Sequence, residues 1–254
     1  MKRVIALTIL IVMMATCAQA EESNANHSDM MKMPRTFDLN PENGADSVER
    51  LGDHLDSPYF SHPDFYNMTS TDTLTILSHF QTFQQTGEWS CAVACTMMVL
   101  NWFDRLGDYN EQTLACFRPQ RDNPEPTTLS ELIAIFDGVG GFTCYSTIDA
   151  GDRIDEVFTL DYIRETLASG IPIMIGWNDW GGHWEIIIGY DDMGTELRQD
   201  DVLIIADPYD TTDHNQDGYG VLSAERFMNN FSFYFEFENG DPNEKCFLTA
   251  VPKD

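Results

Sequence analysis

The apolar positions of this chain change period about two thirds of the way along it. From Cys91 to Leu106, Val93, Met97, Leu100, Asn101 and Phe103 recur at helical spacing, with Ser90 placed to cap the run and Gly107 to end it. A second helix is predicted in "TTLSELIAIFDGVGG". There Thr128 and Glu131 form a capping-box pair, and Leu129, Leu132, Ile133 and Phe136 make the stripe. A third is predicted in "TLDYIRETLASG", with Leu160, Ile163 and Leu167 on one side and Gly170 as its stop. After residue 170 the runs shorten and become β-branched or aromatic. "IPIMIGW", "HWEIIIGY", "DVLIIAD", "FSFYFEF" and "KCFLTAV" read as five strands. Helices first and strands later predict an α+β fold, with helices packed on an antiparallel β-sheet. No βαβ alternation and no phosphate-binding glycine motif is present, which disfavours a nucleotide-binding fold.

The first twenty residues follow a different rule. Lys2 and Arg3 precede an apolar run from Val4 to Met14, and Ala18-Gln19-Ala20 supplies small residues at a cleavage site. This pattern predicts a signal peptide over 1–20 and a secreted or periplasmic protein. Cys17 as a lipid-attachment site fits less well, because Thr16 precedes it. Residues 21–57 are polar and aperiodic, a flexible leader or pro-segment, and the folded domain is expected over 58–254. No later stretch reaches membrane-spanning length, so no membrane insertion is expected.

Loss of Lys2 and Arg3 with the signal takes the formal net charge from -28 to -30. Such a surface repels nucleic acid and anionic lipid, and its first reading is a solvated acidic face. The pattern fixes no oligomeric state. Five cysteines follow the signal: Cys91, Cys95, Cys116, Cys144 and Cys246. In an oxidising compartment four are expected to pair, in one of three connectivities, leaving one thiol free. No Cys/His spacing suits a structural zinc.

Cys91 opens the first predicted helix, where unpaired N–H groups and the helix dipole stabilise a thiolate. Alone it reads as an inert buried cysteine. Among the six histidines only His183 combines a glycine-flanked approach, "WGGHW", with the start of an apolar strand. If Tyr190 lies opposite Val202 across the polar loop, Glu185 lies opposite Asp207, and 183, 185 and 207 share one face. Asp207 is then within reach to orient the imidazole, with Glu185 a competitor. A one-residue slip would put His183 and Asp207 on opposite faces. Gln85, six residues before the thiol, is placed to join the Cys91 N–H as an oxyanion-hole donor, with Gln84 as a substitute.

"QQTGEWSCAVA", "WGGHWEIIIGYDD" and "VLIIADPYD" together resemble secreted members of the bacteriocin-processing, double-glycine cysteine peptidase-like family. The likeness runs from about Ser57 to Phe231 and beyond. It implies a papain-like cysteine peptidase fold, with Cys91 as nucleophile, His183 as base, Asp207 as orienter and Gln85 in the oxyanion hole. The family usually carries Gly after the Cys, where this chain has Ala92-Val93. The extra methyl is expected to narrow the cleft.

Asp213, Asn215 and Asp217 alternate ahead of Gly218, as at the start of a calcium loop. The twelfth place, where a closing acid belongs, holds Ala224, with Glu225 one later and Asp210 as a further ligand candidate. A turn that satisfies its own backbone is the competing reading. The expectation is therefore a peptidase acting on peptide or protein, with no required cofactor and calcium only as a structural ion. The alternatives are a cell-wall amidase or acyl transferase with the same triad, and a catalytically silent, calcium-stabilised binding module. The cluster of Trp177, Trp180 and Trp184 is read either as cleft lining or as sheet-edge packing.

Overall fold

The computed structural model describes residues 53–119 and 126–253. The expected signal peptide and the leader up to residue 52 lie outside them. Seven strands form one sheet: β1 Leu74–Ile76, β2 Phe142–Ser146, β3 Ile173–Trp177, β4 His183–Asp191, β5 Val202–Ala206, β6 Tyr219–Ser223 and β7 Cys246–Pro252. The order is β2-β7-β3-β4-β5-β6, every pairing is antiparallel, and β1 pairs with β4 beside the end of β3. Against the sheet stand α1 Cys91–Trp102, α2 Glu111–Ala115, α3 Leu129–Val139, α4 Thr147–Ala150, α5 Ile154–Val157, α6 Leu160–Ala168 and α7 Ala224–Asn230. This is the expected α+β arrangement.

The central elements are those with the most continuous apolar sequence. β4 is paired along both edges and buried from His183 to Tyr190, so its side chains need no polar alternation. α1 is buried at every position from Cys91 to Leu100. It has no solvent face, and the single stripe expected of it understates its burial. "TMMVL" is core, with Met98 and Leu100 fully covered.

α1 ends earlier than Gly107. Asp104 takes a left-handed φ of 54°, and the Arg105 N–H reaches back to the Leu100 carbonyl at 2.7 Å. That bond closes the helix end six residues round, with Asp filling the place usually held by Gly. Ser90 occupies the N-cap position but makes no side-chain cap bond; its hydroxyl bonds instead to Gly87. α3 and α6 end as read. The Thr128–Glu131 capping box is formed, Thr159 caps α6, and Gly140 and Gly170 follow with φ of 75° and 77°.

Two expectations are overturned. "FSFYFEF" is not a strand: only Ser232 forms an isolated bridge, to Glu244, while Phe231, Phe233 and Phe237 turn into the core and Tyr234 stays exposed. Aromatic clustering, including Phe233 against Phe235 and Phe237 at 5.5 and 5.1 Å, outweighs ladder formation here. The expected disulfides are also not formed, and all five cysteines of the described residues are free. Cys95 Sγ donates to the Trp184 carbonyl and Cys246 Sγ to that of Pro242. Burial raises the Cys144 thiol to about 11 and the Cys246 thiol to about 12.

Candidate active site

His183 opens β4 directly after Gly181 and Gly182, whose φ values of 85° and 136° turn the chain into the strand. A Cβ at Gly182 would lie 3.2 Å from the Phe235 ring, so this approach needs a residue without one. Asp207 follows the last residue of β5. At the loop end of the β4–β5 hairpin Tyr190 pairs with Leu203 and Asp191 with Val202, one residue off the expected register. Continued along the strand, that slip would separate His183 from Asp207. A bulge between Ile187 and Gly189 absorbs it, and Ile187 pairs with Ile205 and Ile186 with Ala206. One step further Glu185 comes opposite Asp207, and 183, 185 and 207 share a face as the sequence required.

The side chains meet accordingly. His183 Nε2 lies 2.7 Å from Asp207 Oδ1 with both residues buried. Cys91 acts on the same ring, adding to the influence of Asp207. Asp207 takes Nε2, and Nδ1 is the ring nitrogen that remains. Burial works against the imidazolium, but the Asp207 charge, its hydrogen bond and Cys91 outweigh it and hold His183 well above its ordinary value. Burial likewise opposes the Asp207 carboxylate, yet His183 and the backbone N–H groups of Tyr209 and Asp210 hold it below the usual range. Both shifts describe one ion pair.

Cys91 is the first helical residue of α1, so its backbone N–H has no partner within the helix. The residue is 3 % exposed. Cys95, one turn on, is raised well above the usual thiol range by burial and then by Cys91, Asp207 and Glu185, which keeps it a thiol. Gln85 is tied into the site by its own N–H, which donates to the Pro208 carbonyl at 2.9 Å, next to Asp207. Its Nε2 donates to the Gly87 carbonyl at 2.8 Å and its Oε1 is buried without a partner. One hydrogen of the amide is therefore spent inside the loop, and one remains. Gln84, the substitute, has both amide atoms buried without a partner. Buried Glu111 accepts from the N–H and hydroxyl of Thr86 and fixes this loop from α2.

Several site neighbours carried little sequence signal. Tyr209 sets its ring edge-on to His183 at 6.3 Å, donates its N–H to Asp207 Oδ1 and reaches Glu88 with its hydroxyl. It thereby bridges the loops on either side of the histidine, and only its place in "DPYD" hinted at it. Arg118, 2 % exposed, lies 4.8 Å over the Trp89 ring and 3.7 Å from Glu131. Burial lowers its pKa, with Glu131 and Cys91 opposing that shift. Its position past a short helix gave no periodic clue. The tryptophans divide: Trp184 is core, with Nε1 donating to the Thr127 carbonyl, Trp177 donates to Glu185, and exposed Trp180 stands 5.5 Å from Tyr209.

The carboxylates of the Asp213–Asp217 loop and of Asp210 accept from donors within the same stretch of chain. Asp213 Oδ1 accepts from the Asn215 N–H, Asp217 Oδ1 from the Tyr219 N–H, Asp217 Oδ2 from Asn215 Nδ2 and Asp210 Oδ2 from the Gly218 N–H. Asn215 Oδ1 is left without a donor. The twelfth position is the buried methyl of Ala224, and Glu225 accepts from Gln199 instead of closing the loop. These are turns that satisfy their own backbone. The group of metal-ligand type among the described residues is His183, Glu185 and Asp207.

No curated protein matches the chain. The model of the Peptidase_C39 like family matches residues 77–234, more than half of the 254 residues, and that span holds Gln85, Cys91, His183 and Asp207. The chain belongs to the Peptidase_C39 like family.

Proposed function

We propose that the protein is an exported cysteine peptidase that cleaves peptide bonds through a Cys91–His183–Asp207 triad and a thioester intermediate. One observation carries the reading: the buried His183 imidazole lies 2.7 Å from Asp207, and Cys91, 116 residues before Asp207 in the chain, acts on the same ring. The Cys91 thiolate attacks the scissile carbonyl carbon. The Cys91 N–H and the remaining hydrogen of Gln85 Nε2 receive the oxyanion. As the C–N bond breaks, the imidazolium proton on Nδ1 passes to the leaving amine. Neutral His183 then takes a proton from water, which attacks the thioester and frees Cys91. Asp207 holds the ring aligned throughout. Export by cleavage after Ala20 belongs to the same proposal and is read from the N-terminus of the mature chain, expected at Glu21.

Cys91→Ala tests the chemistry. Hydrolysis of unfolded protein should fall by about 10³-fold or more with an unchanged melting temperature. Wild-type activity in that variant would falsify the triad. Turnover of cell-wall amides with no cleavage of protein would move the same triad to an amidase.

A further inference from the structure

Resting on the triad reading, we infer that Glu185 is a second acid of the reaction centre, a positioning residue that sets how readily the His183 imidazolium gives up its proton. Glu185 lies two residues from His183 on the same face of β4 and is 3 % exposed. Trp177 Nε1 donates to its Oε2 at 2.6 Å, and one ligand atom from each of His183, Glu185 and Asp207 all lie within 4.8 Å of one another. One imidazole thus faces two carboxyl groups in a largely buried site. Such groups do not ionise independently.

The titratable groups facing Glu185 are His183 on its own strand, Asp207 after β5, Asp179 from the turn before β4 and the Cys95 thiol from α1. Only His183 among them becomes cationic. Burial, and then the Asp207 charge, push Glu185 up to about 8, against the pull of His183 and the Trp177 hydrogen bond. Asp179 is raised for the same two reasons. At neutral pH Glu185 is therefore a neutral acid beside an ion pair, and mildly alkaline solution makes it a third charge. A cavity of about 510 Å³ lined by Asp179, Glu185 and Asp207, and by exposed Tyr59 and Phe60, gives its proton a way to solvent away from the thiol.

The ionisation bears on one step. With Glu185 neutral, one carboxylate holds the imidazolium, and its proton moves to the amine nitrogen as the amide C–N bond breaks, leaving thioester and neutral imidazole. With Glu185 ionised, two carboxylates hold the imidazolium, which becomes a weaker acid, and amide cleavage slows. A p-nitrophenyl ester, whose leaving phenolate needs no proton, is spared.

The test compares kcat/KM for a peptide amide and a p-nitrophenyl ester of the same acyl group across neutral and alkaline pH. In the wild type the amide-to-ester ratio should fall roughly fivefold to tenfold through an inflection near the Glu185 value. In Glu185→Gln the ratio should be flat. Trp177→Phe keeps the carboxyl and removes the donor to its ionised form, so the inflection should move to higher pH; this arm stands even where Glu185→Gln does not fold. An inflection unchanged in either folded variant overturns the inference and leaves the triad intact. A wild-type rate no higher than that of Cys91→Ala overturns the triad reading and this one with it.

Discussion

Asp207 accepts from His183 and from the Tyr209 N–H through the same oxygen, one residue past the end of β5. Its charge is the chief force holding the imidazole in its protonated form against burial. Asp207→Asn keeps the shape and an accepting oxygen but removes that charge. We expect kcat/KM to drop by about 10²- to 10⁴-fold. The alkaline limb of its pH profile should move to lower pH, because His183 loses what raises it. A limb that stays in place would mean that Asp207 only packs against the ring. The four residues proposed for the triad and oxyanion hole were legible as candidates because each carries chemistry at a structural boundary: a thiol at a helix start, an imidazole at a strand start, a carboxylate at a strand end and an amide six residues before the thiol. Arg118 and Tyr209 were not, because their roles arise from what folds against them.

The β4–β5 hairpin shows how an element can conceal its own register. Counting back from the loop predicts that His183 and Asp207 share a face, yet the pairs next to the loop are off by one residue. The bulge at Ile188 corrects the count, and in "EIIIGY" only Gly189, next to it, hints at it. Deleting Ile188 should close the bulge and leave Ile187 opposite Ile205, so that His183 and Asp207 keep one face and hydrolysis survives. Deleting Ile186 instead should bring Trp184 opposite Asp207 and turn the His183 ring to the other face; that chain is expected to lose hydrolysis and to label at Cys91 as slowly as a His183 variant does. Retained activity in the second chain would show that the turn before β4, not the strand register, aims the ring. Other elements erred for similar reasons. β1, β2 and β6 are short and half-buried, too brief for a period to show. "FSFYFEF" has the composition of a strand but takes no place in the sheet order.

At the scale of the whole molecule, the buried charges of the site tie stability to pH. Glu185 in the fold is raised to about 8 from an ordinary carboxyl value near ~4.3. Its contribution is fully present below that ordinary value and is lost as pH rises through about 8. His183, also raised, acts in the same direction, while Asp207, held low, stabilises above the ordinary range and loses that contribution only as pH falls. The melting temperature should therefore decline from mildly acid to alkaline pH, and Glu185→Gln should flatten the decline; a slope unchanged in that variant would place its origin elsewhere. The fold itself was readable at this scale, since a helical first part and a stranded second part give α+β by simple packing of apolar faces. The cysteine count misled, because burial and carbonyl partners occupy Cys95 and Cys246 without any bridge. The most direct test of the central claim is site-resolved iodoacetamide labelling at about pH 6, where an ordinary thiol is nearly all protonated. The account predicts that Cys91 reacts at least about tenfold faster than exposed Cys116, and that His183→Ala abolishes the advantage. Labelling of Cys91 no faster than Cys116, unchanged by removal of His183, would contradict it.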